Sequence, residues 1–421
     1  MAATPEGTGT VMDASGRTAV AVAWVAGIAL VAVAWWLVPW DPVPGGPLEP
    51  VPARSVFSAE EIQRAEEFSR WARVWSWSSL VVSLLVACWF GFTRRGRALF
   101  DRLPGPWWLQ VLQIVAVLAL VGRVLTLPFA VAQRMLQRDY GLSNQTWSAF
   151  AVDQVKGELV SIVIITIGVV AVMACARRWP RAWPAVAGAL LVALVAAGSF
   201  VYPVVVEPVF NDFTPLEAGQ LRTDIFALAD EEGVPIDDVL VADASRRTTT
   251  LNAYVSGFGG TRRVVVYDNL VESLPEDQAL SVVAHELAHA RHDDVLIGTA
   301  LGAAGALLGV GLLALLLGRL RRRGWPAMGE PGVVPVLLAV VAVAMLATAP
   351  VQNGISRQIE IRADVDALTT TDDPQAFAAM QRKLALRSLT DPTPIGWSQW
   401  WFGSHPPVLK RIALAERMGR D

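Results

Sequence analysis

Seven long apolar runs decide what this chain can become. A bilayer core takes about 20 apolar residues per helix. Runs of that order lie near residues 19–40, 77–93, 108–129, 158–176, 184–206, 295–317 and 332–350. Composition agrees: 53% of the 421 residues are hydrophobic and only 17% charged, against about a quarter charged in soluble domains. Mean hydropathy is +0.43. The first run ends in "AWWLVPW" and has no small-x-small cleavage site, so it reads as an uncleaved anchor rather than a signal peptide. Arg123 interrupts the third run and should face protein or a water-filled cavity, because an unpaired charge in lipid is costly.

The polar remainder falls in two places. Residues 1–206 read as an N-terminal membrane region of five spans, with a linker and surface helix at 40–76. Within that linker, Ser58 and Glu61 in "SAEEIQRAEEF" form a capping box ahead of helically spaced apolar positions, which suits a helix lying at the membrane surface or leading into the second span. Residues 207–421 read as a second unit interrupted by a transmembrane hairpin at 295–350. Its first half has a helical stretch at 216–232 and two alternating runs, "DDVLVAD" and "RRVVVYD", that suit short strands. A pair of spans returns the chain to the same side, so the two halves can meet. The fold class is therefore mainly α: a multi-pass membrane protein with about seven transmembrane helices and a polar unit holding a small β-sheet.

Orientation follows from three short basic loops, "RRGRALFDR" (94–102), "RRWPR" (177–181) and "RLRRRG" (319–324). Seven alternating spans put all three on one side, which the positive-inside tendency makes cytoplasmic. The polar unit is then expected on the extracytoplasmic side of the cell membrane. Cys88 and Cys175 both fall inside spans and offer no disulfide framework or zinc ribbon. Net charge is −3 with no basic block interleaved with aromatics, which leaves nucleic-acid binding without support.

Three of the four histidines crowd into "LSVVAHELAHARHDD", residues 280–294. On a helix, His285 and His289 stack on one face a turn apart, which suits two ligands of one zinc ion. Glu286 beside them can act as general base on water whose pKa the zinc lowers. In a chain with four histidines, a chance H-E-x-x-H arises about two or three times per thousand sequences. A third ligand is needed. A metzincin would have His at 295, where this chain has Val295. His292 lies a turn beyond the pair, so a supporting or surface role suits it better. "SRQIEIRADVDAL", after the seventh run, offers Glu360 and Asp364 on one helical face: the first for the zinc, the second for the free ring nitrogen of a ligand histidine.

With those residues, "LNAYVSGFGGTRRVVVYDNLV", "GSHPPVLKRI" and "RDYGLSNQTW…VDQVKGE" appear in an order that resembles the zinc-dependent type 1 CAAX prenyl protease family of integral-membrane gluzincins, from about residue 55 to the C-terminus. The resemblance implies seven spans around a chamber capped by a gluzincin domain, with one Zn²⁺ held by His285, His289 and Glu360. It further implies Glu286 as base and Asp364 behind the ligands. Asn252 in "NAY" and His405 in "HPP" match positions that hold substrate backbone and stabilise the oxyanion, roles an amide and an imidazole can fill. Eukaryotic members carry the catalytic domain on the cytosolic side, and some relatives carry a long insertion between the last spans; the basic loops here argue for the opposite face, and the insertion is lacking.

The expected partners are the lipid bilayer and a peptide or protein substrate, membrane-associated or lipidated. Two other readings stand beside a CAAX-type endopeptidase. One is a heat-shock-type quality-control protease that clips membrane proteins. The other is a non-catalytic membrane protein with a structural zinc, against which Glu286 argues, since a closed site has no use for a base. Near His405, "WSQWWF" reads as an interfacial aromatic belt or as a wall of the substrate cleft.

Overall fold

The computed structural model describes residues 14–257 and 259–420. Among the described residues, seven helices are long and apolar enough to cross a membrane. They are α1 (Ala14–Leu37), α2 (Ala59–Phe92), α3 (Trp107–Asp139), α4 (Trp147–Arg178), α5 (Trp183–Val201), α8 (Asp294–Arg321) and α9 (Val334–Thr371). Between α5 and α8 lie strand β1 (Phe213–Pro215), helix α6 (Gln220–Glu231), strands β2 (Asp238–Ala242), β3 (Ala253–Ser256) and β4 (Arg263–Tyr267), and helix α7 (Glu276–Arg291). After α9 come α10 (Pro374–Ser388), α11 (Gly396–Phe402) and α12 (Val408–Met418).

Several helices outrun their apolar cores. Of the two placements expected for the helix after Ser58, the structure takes the second: it runs straight into the second span as one rod, α2, opened by the Ser58–Glu61 capping box. Helix α9 spans 38 residues, about 57 Å at the helical rise, nearly twice a hydrocarbon core. Its last turns therefore leave the membrane without a break and carry Glu360 and Asp364 with them.

The helices pack through small residues, as they must where lipid supplies no hydrophobic drive between them. A Cβ on Gly91 of α2 would stand 2.6 Å from the Ala339 Cβ and 2.7 Å from the Pro335 carbonyl oxygen of α9. Gly91→Val is expected to push α2 off α9 and to destabilise by about 1–3 kcal/mol. An unchanged melting temperature in detergent would refute that packing. Arg123 finds its partners across the α3–α4 seam: Glu158 at 2.7 Å and Gln154 at 3.0 Å. The basic loops gather at one end of the bundle, where Arg97 lies over the Trp325 ring and Arg177 donates to the Gly329 carbonyl at 2.7 Å.

The sheet order is β1-β2-β4-β3, with β2 parallel to β4 and the outer pairs antiparallel. Strand β3 is an edge. Helix α7 buries Ala279, Val282, Val283, Ala284 and Leu287 in a core shared with Ile225, Val264 and Val266, and with Ile361, Ala367 and Leu368 of α9. One apolar core thus clamps α7 to the protruding end of α9.

Candidate metal centre

Helix α7 opens with Glu276 and Asp277 at its positive end and buries its alanine-rich face, which turns His285 inward. It ends at His292, and Asp293 in the left-handed region (φ 52°) turns the chain into α8. That tight corner brings Asp294 back to the Nδ1 of His289, at 2.9 Å.

His285, His289 and Glu360 each offer a ligand atom, all within 4.8 Å of one another. The two Nε2 atoms are 3.2 Å apart. Glu360 Oε2 stands 3.3 Å from His285 Nε2, and its Oε1 3.7 Å from His289 Nε2. Behind them, Asp364 Oδ1 is 3.0 Å from His285 Nδ1. With each Nδ1 facing a carboxylate, both Nε2 atoms turn their lone pairs to a common point.

Does this set fit a metal? Glu360 Oε2 is buried, and its near neighbour is the ring nitrogen of His285 at 3.3 Å, an acceptor that a cation between the two would satisfy. Burial alone would lower the pKa of His285, yet hydrogen bonds with Asp364 and Glu360 outweigh it and raise it to about 10. The pocket therefore favours positive charge at this ring, and a divalent cation meets the same demand. Two imidazoles and a carboxylate are a zinc donor set with room for a further ligand. The fit is good.

Glu286 faces this group from the same helix. Burial raises its pKa, against the lowering pull of the two histidines. His405, largely exposed, has Nε2 at 3.5 Å from Glu360 Oε1, and its Nδ1 meets Ser404 Oγ at 3.0 Å. Asn252 is exposed at the head of β3, its carbonyl accepting from the Tyr267 amide at 3.0 Å. His292 stands apart from the cluster and pairs with Asp366.

The sequence reading missed the cations behind the carboxylates. Arg411 of α12 grips Asp364 with Nε at 2.7 Å and also with Nη2, which lies 3.4 Å from His285 Nδ1. Burial opposes its charge and Asp364 more than restores it. The Gln381 amide lies against the same guanidinium, and the orientation that puts its oxygen there accepts from Nη2 at 3.1 Å and Nε at 3.2 Å. Arg362 of α9 pairs likewise with Asp294. Each inner histidine is thus backed by a carboxylate, and each carboxylate by an arginine.

Comparison with known proteins gives the family. The model of Peptidase family M48 matches residues 215–418, and that of the CAAX prenyl protease N-terminal, five membrane helices, matches residues 49–212. The chain is 32% identical over 314 residues to the uncharacterized metalloprotease YhfN of Bacillus subtilis, covering 73% of this chain and 74% of that one. It is 29% identical over 323 residues to a CAAX prenyl protease 1 homolog of Oryza sativa subsp. japonica, covering 73% of each. Among solved structures, S. mikatae Ste24p superposes with a TM-score of 0.76 at 19% identity, over 96% of this chain and 100% of that one. The chain belongs to peptidase family M48 and is an integral-membrane metalloprotease of the CAAX prenyl protease type.

Proposed function

We propose that this chain is an endopeptidase in which His285, His289 and Glu360 hold one zinc ion and Glu286 is the general base. The single observation that carries the reading is the convergence of two rings from α7 and one carboxylate from α9 within 4.8 Å. When bound, zinc supplies Lewis acidity that polarises a peptide carbonyl and acidifies water. Glu286 takes the proton of the attacking water and returns it to the leaving amine. Its place on α7 directly beside His285, one of the two rings, suits both halves of that exchange. Asp364 and Asp294 hold the two ring tautomers. His405 donates to the carbonyl oxygen as negative charge develops there. Asn252 secures the backbone of a substrate laid along the edge of β3.

Glu360→Ala tests the ligand set directly. It removes one of three protein ligands, and purified protein is expected to retain less than about a tenth of its zinc after dialysis against a weak chelator. Unchanged stoichiometry would exclude Glu360 as a ligand.

The substrate we propose is a membrane-associated or prenylated peptide, on the strength of the relatives named CAAX prenyl protease 1. A second reading, quality-control clipping of membrane proteins, is favoured by the basic loops at the end that carries Arg97 and Arg177, which would put the site on the extracytoplasmic side of the cell membrane. Mass spectrometry of membrane peptides with and without active enzyme separates the two. Cuts confined to prenylated C-termini support the first, and scattered cuts the second. Accessibility of residue 421 to an impermeant label fixes the side.

A further inference from the structure

Pro350 sits inside α9 and has no N–H, so the Leu346 carbonyl one turn earlier has no helical donor. In a membrane segment such an orphan must find another partner. It finds one outside the helix: the indole N–H of Trp401 in α11 donates to it at 3.1 Å.

That bond is the first of four rungs. Two turns beyond Leu346, Asn353 donates from Nδ2 to the Trp401 carbonyl at 2.6 Å. Next, Arg357 donates from Nη1 to the Gly403 carbonyl and to the Gln399 carbonyl, the latter at 3.3 Å. The last rung is Glu360 itself, 3.5 Å from His405. Positions 346, 353, 357 and 360 follow the 3.6-residue period and share one face of α9. The segment 399–405 therefore runs alongside that face in fixed register. Gln399 closes the segment on itself, donating to the His405 carbonyl at 2.7 Å. Gly403 makes room for this, since a Cβ there would stand 2.4 Å from Gln399 Nε2.

We infer that Trp401 is a positioning residue: by filling the carbonyl that Pro350 leaves open, it locks α11 to the span bearing Glu360 and so sets where His405 stands over the reacting carbonyl. The inference rests on the role of His405 proposed above. Two neighbouring rings do not share the task. Trp397 and Trp400 are exposed, and Trp397 packs instead against Trp77 of α2, with ring centroids 4.9 Å apart and the planes tilted by 39°. Within the tryptophan-rich helix, Trp401 is the ring that reaches the backbone of α9.

The test is a double-variant cycle in the zinc-loaded full chain, read as kcat on a quenched fluorogenic peptide, with KM, zinc content and melting temperature measured alongside. Trp401→Phe removes the donor and keeps a ring. It is expected to lower kcat about tenfold, the scale of a small misplacement, with KM and zinc content unchanged. In the His405→Ala background the same change should cost nothing further, because two residues acting through one contact are not additive. Losses that multiply, or wild-type kcat in Trp401→Phe beside an impaired His405→Ala, would overturn the inference alone. Wild-type kcat in His405→Ala would overturn the reading beneath it as well. Adding Pro350→Ala to Trp401→Phe restores a helical donor to Leu346. Melting temperature should then recover while kcat stays low. Recovery of both would mean that only the orphan carbonyl matters.

Discussion

Glu286→Gln is expected to keep the fold and the zinc and to lose about a thousandfold in kcat. The expectation has two parts. A general base contributes on the order of 10²–10⁴ in rate, and an amide of the same shape cannot accept the proton, so about 4 kcal/mol of barrier reduction is lost. Stability should not fall with it. Burial disfavours the charged form of Glu286, and a neutral amide carries no such cost. Equal zinc content in the two proteins, with turnover of the variant on a fluorogenic peptide at the blank, is the predicted result. Turnover within tenfold of the parent in the metal-loaded variant would remove Glu286 from the mechanism.

Arg411→Met should produce the largest loss of stability. The Asp364 side chain is wholly inaccessible, and its two oxygens are held by Arg411 and by His285. Removing the guanidinium leaves a buried carboxylate facing a single imidazole, a change that costs about 3–5 kcal/mol. The apparent melting temperature in detergent should drop by about 10 °C. Zinc affinity should weaken by about 10–100-fold, since the tautomer and tilt of His285 lose their support. Adding Asp364→Asn removes the stranded charge and should recover most of the stability without recovering the affinity. A melting temperature within about 2 °C of the parent would show that Asp364 does not depend on Arg411.

How much of this was legible beforehand depended on periodicity. The seven spans announced themselves as apolar runs, and the H-E-x-x-H and E-x-x-x-D pairs as i, i+4 faces. The convergence of His285, His289 and Glu360 followed once a hairpin was seen to return the chain to one side. What escaped was whatever carries no period of its own. Arg411 lies in "LKRIALAERM", where an arginine on an amphipathic helix reads as a solvated face; only tertiary packing turns it inward. Asp294 was hidden because its role depends on the left-handed corner at Asp293, which no apolar pattern encodes. Strands β1 and β3 hold three and four residues, too few for alternation to register. The length of α9 escaped, and the continuity of α2 stood only as one of two readings, for a different reason. A hydropathy criterion sees only the part of a helix that lies in hydrocarbon, whereas both rods continue into water on capping and core contacts.

The unbroken course of α9 has a mechanical corollary. Glu360 stands ten residues past Pro350, a lever arm of roughly 15 Å. A tilt of about five degrees at that proline, a natural bending point, would swing the carboxylate by about 1.3 Å. A shift of that size spoils a catalytic constellation. Spans tilt to match the thickness of their surroundings, so the bilayer itself has a hand on one of the three atoms that define this centre. Enzymes with soluble scaffolds have no counterpart to that handle.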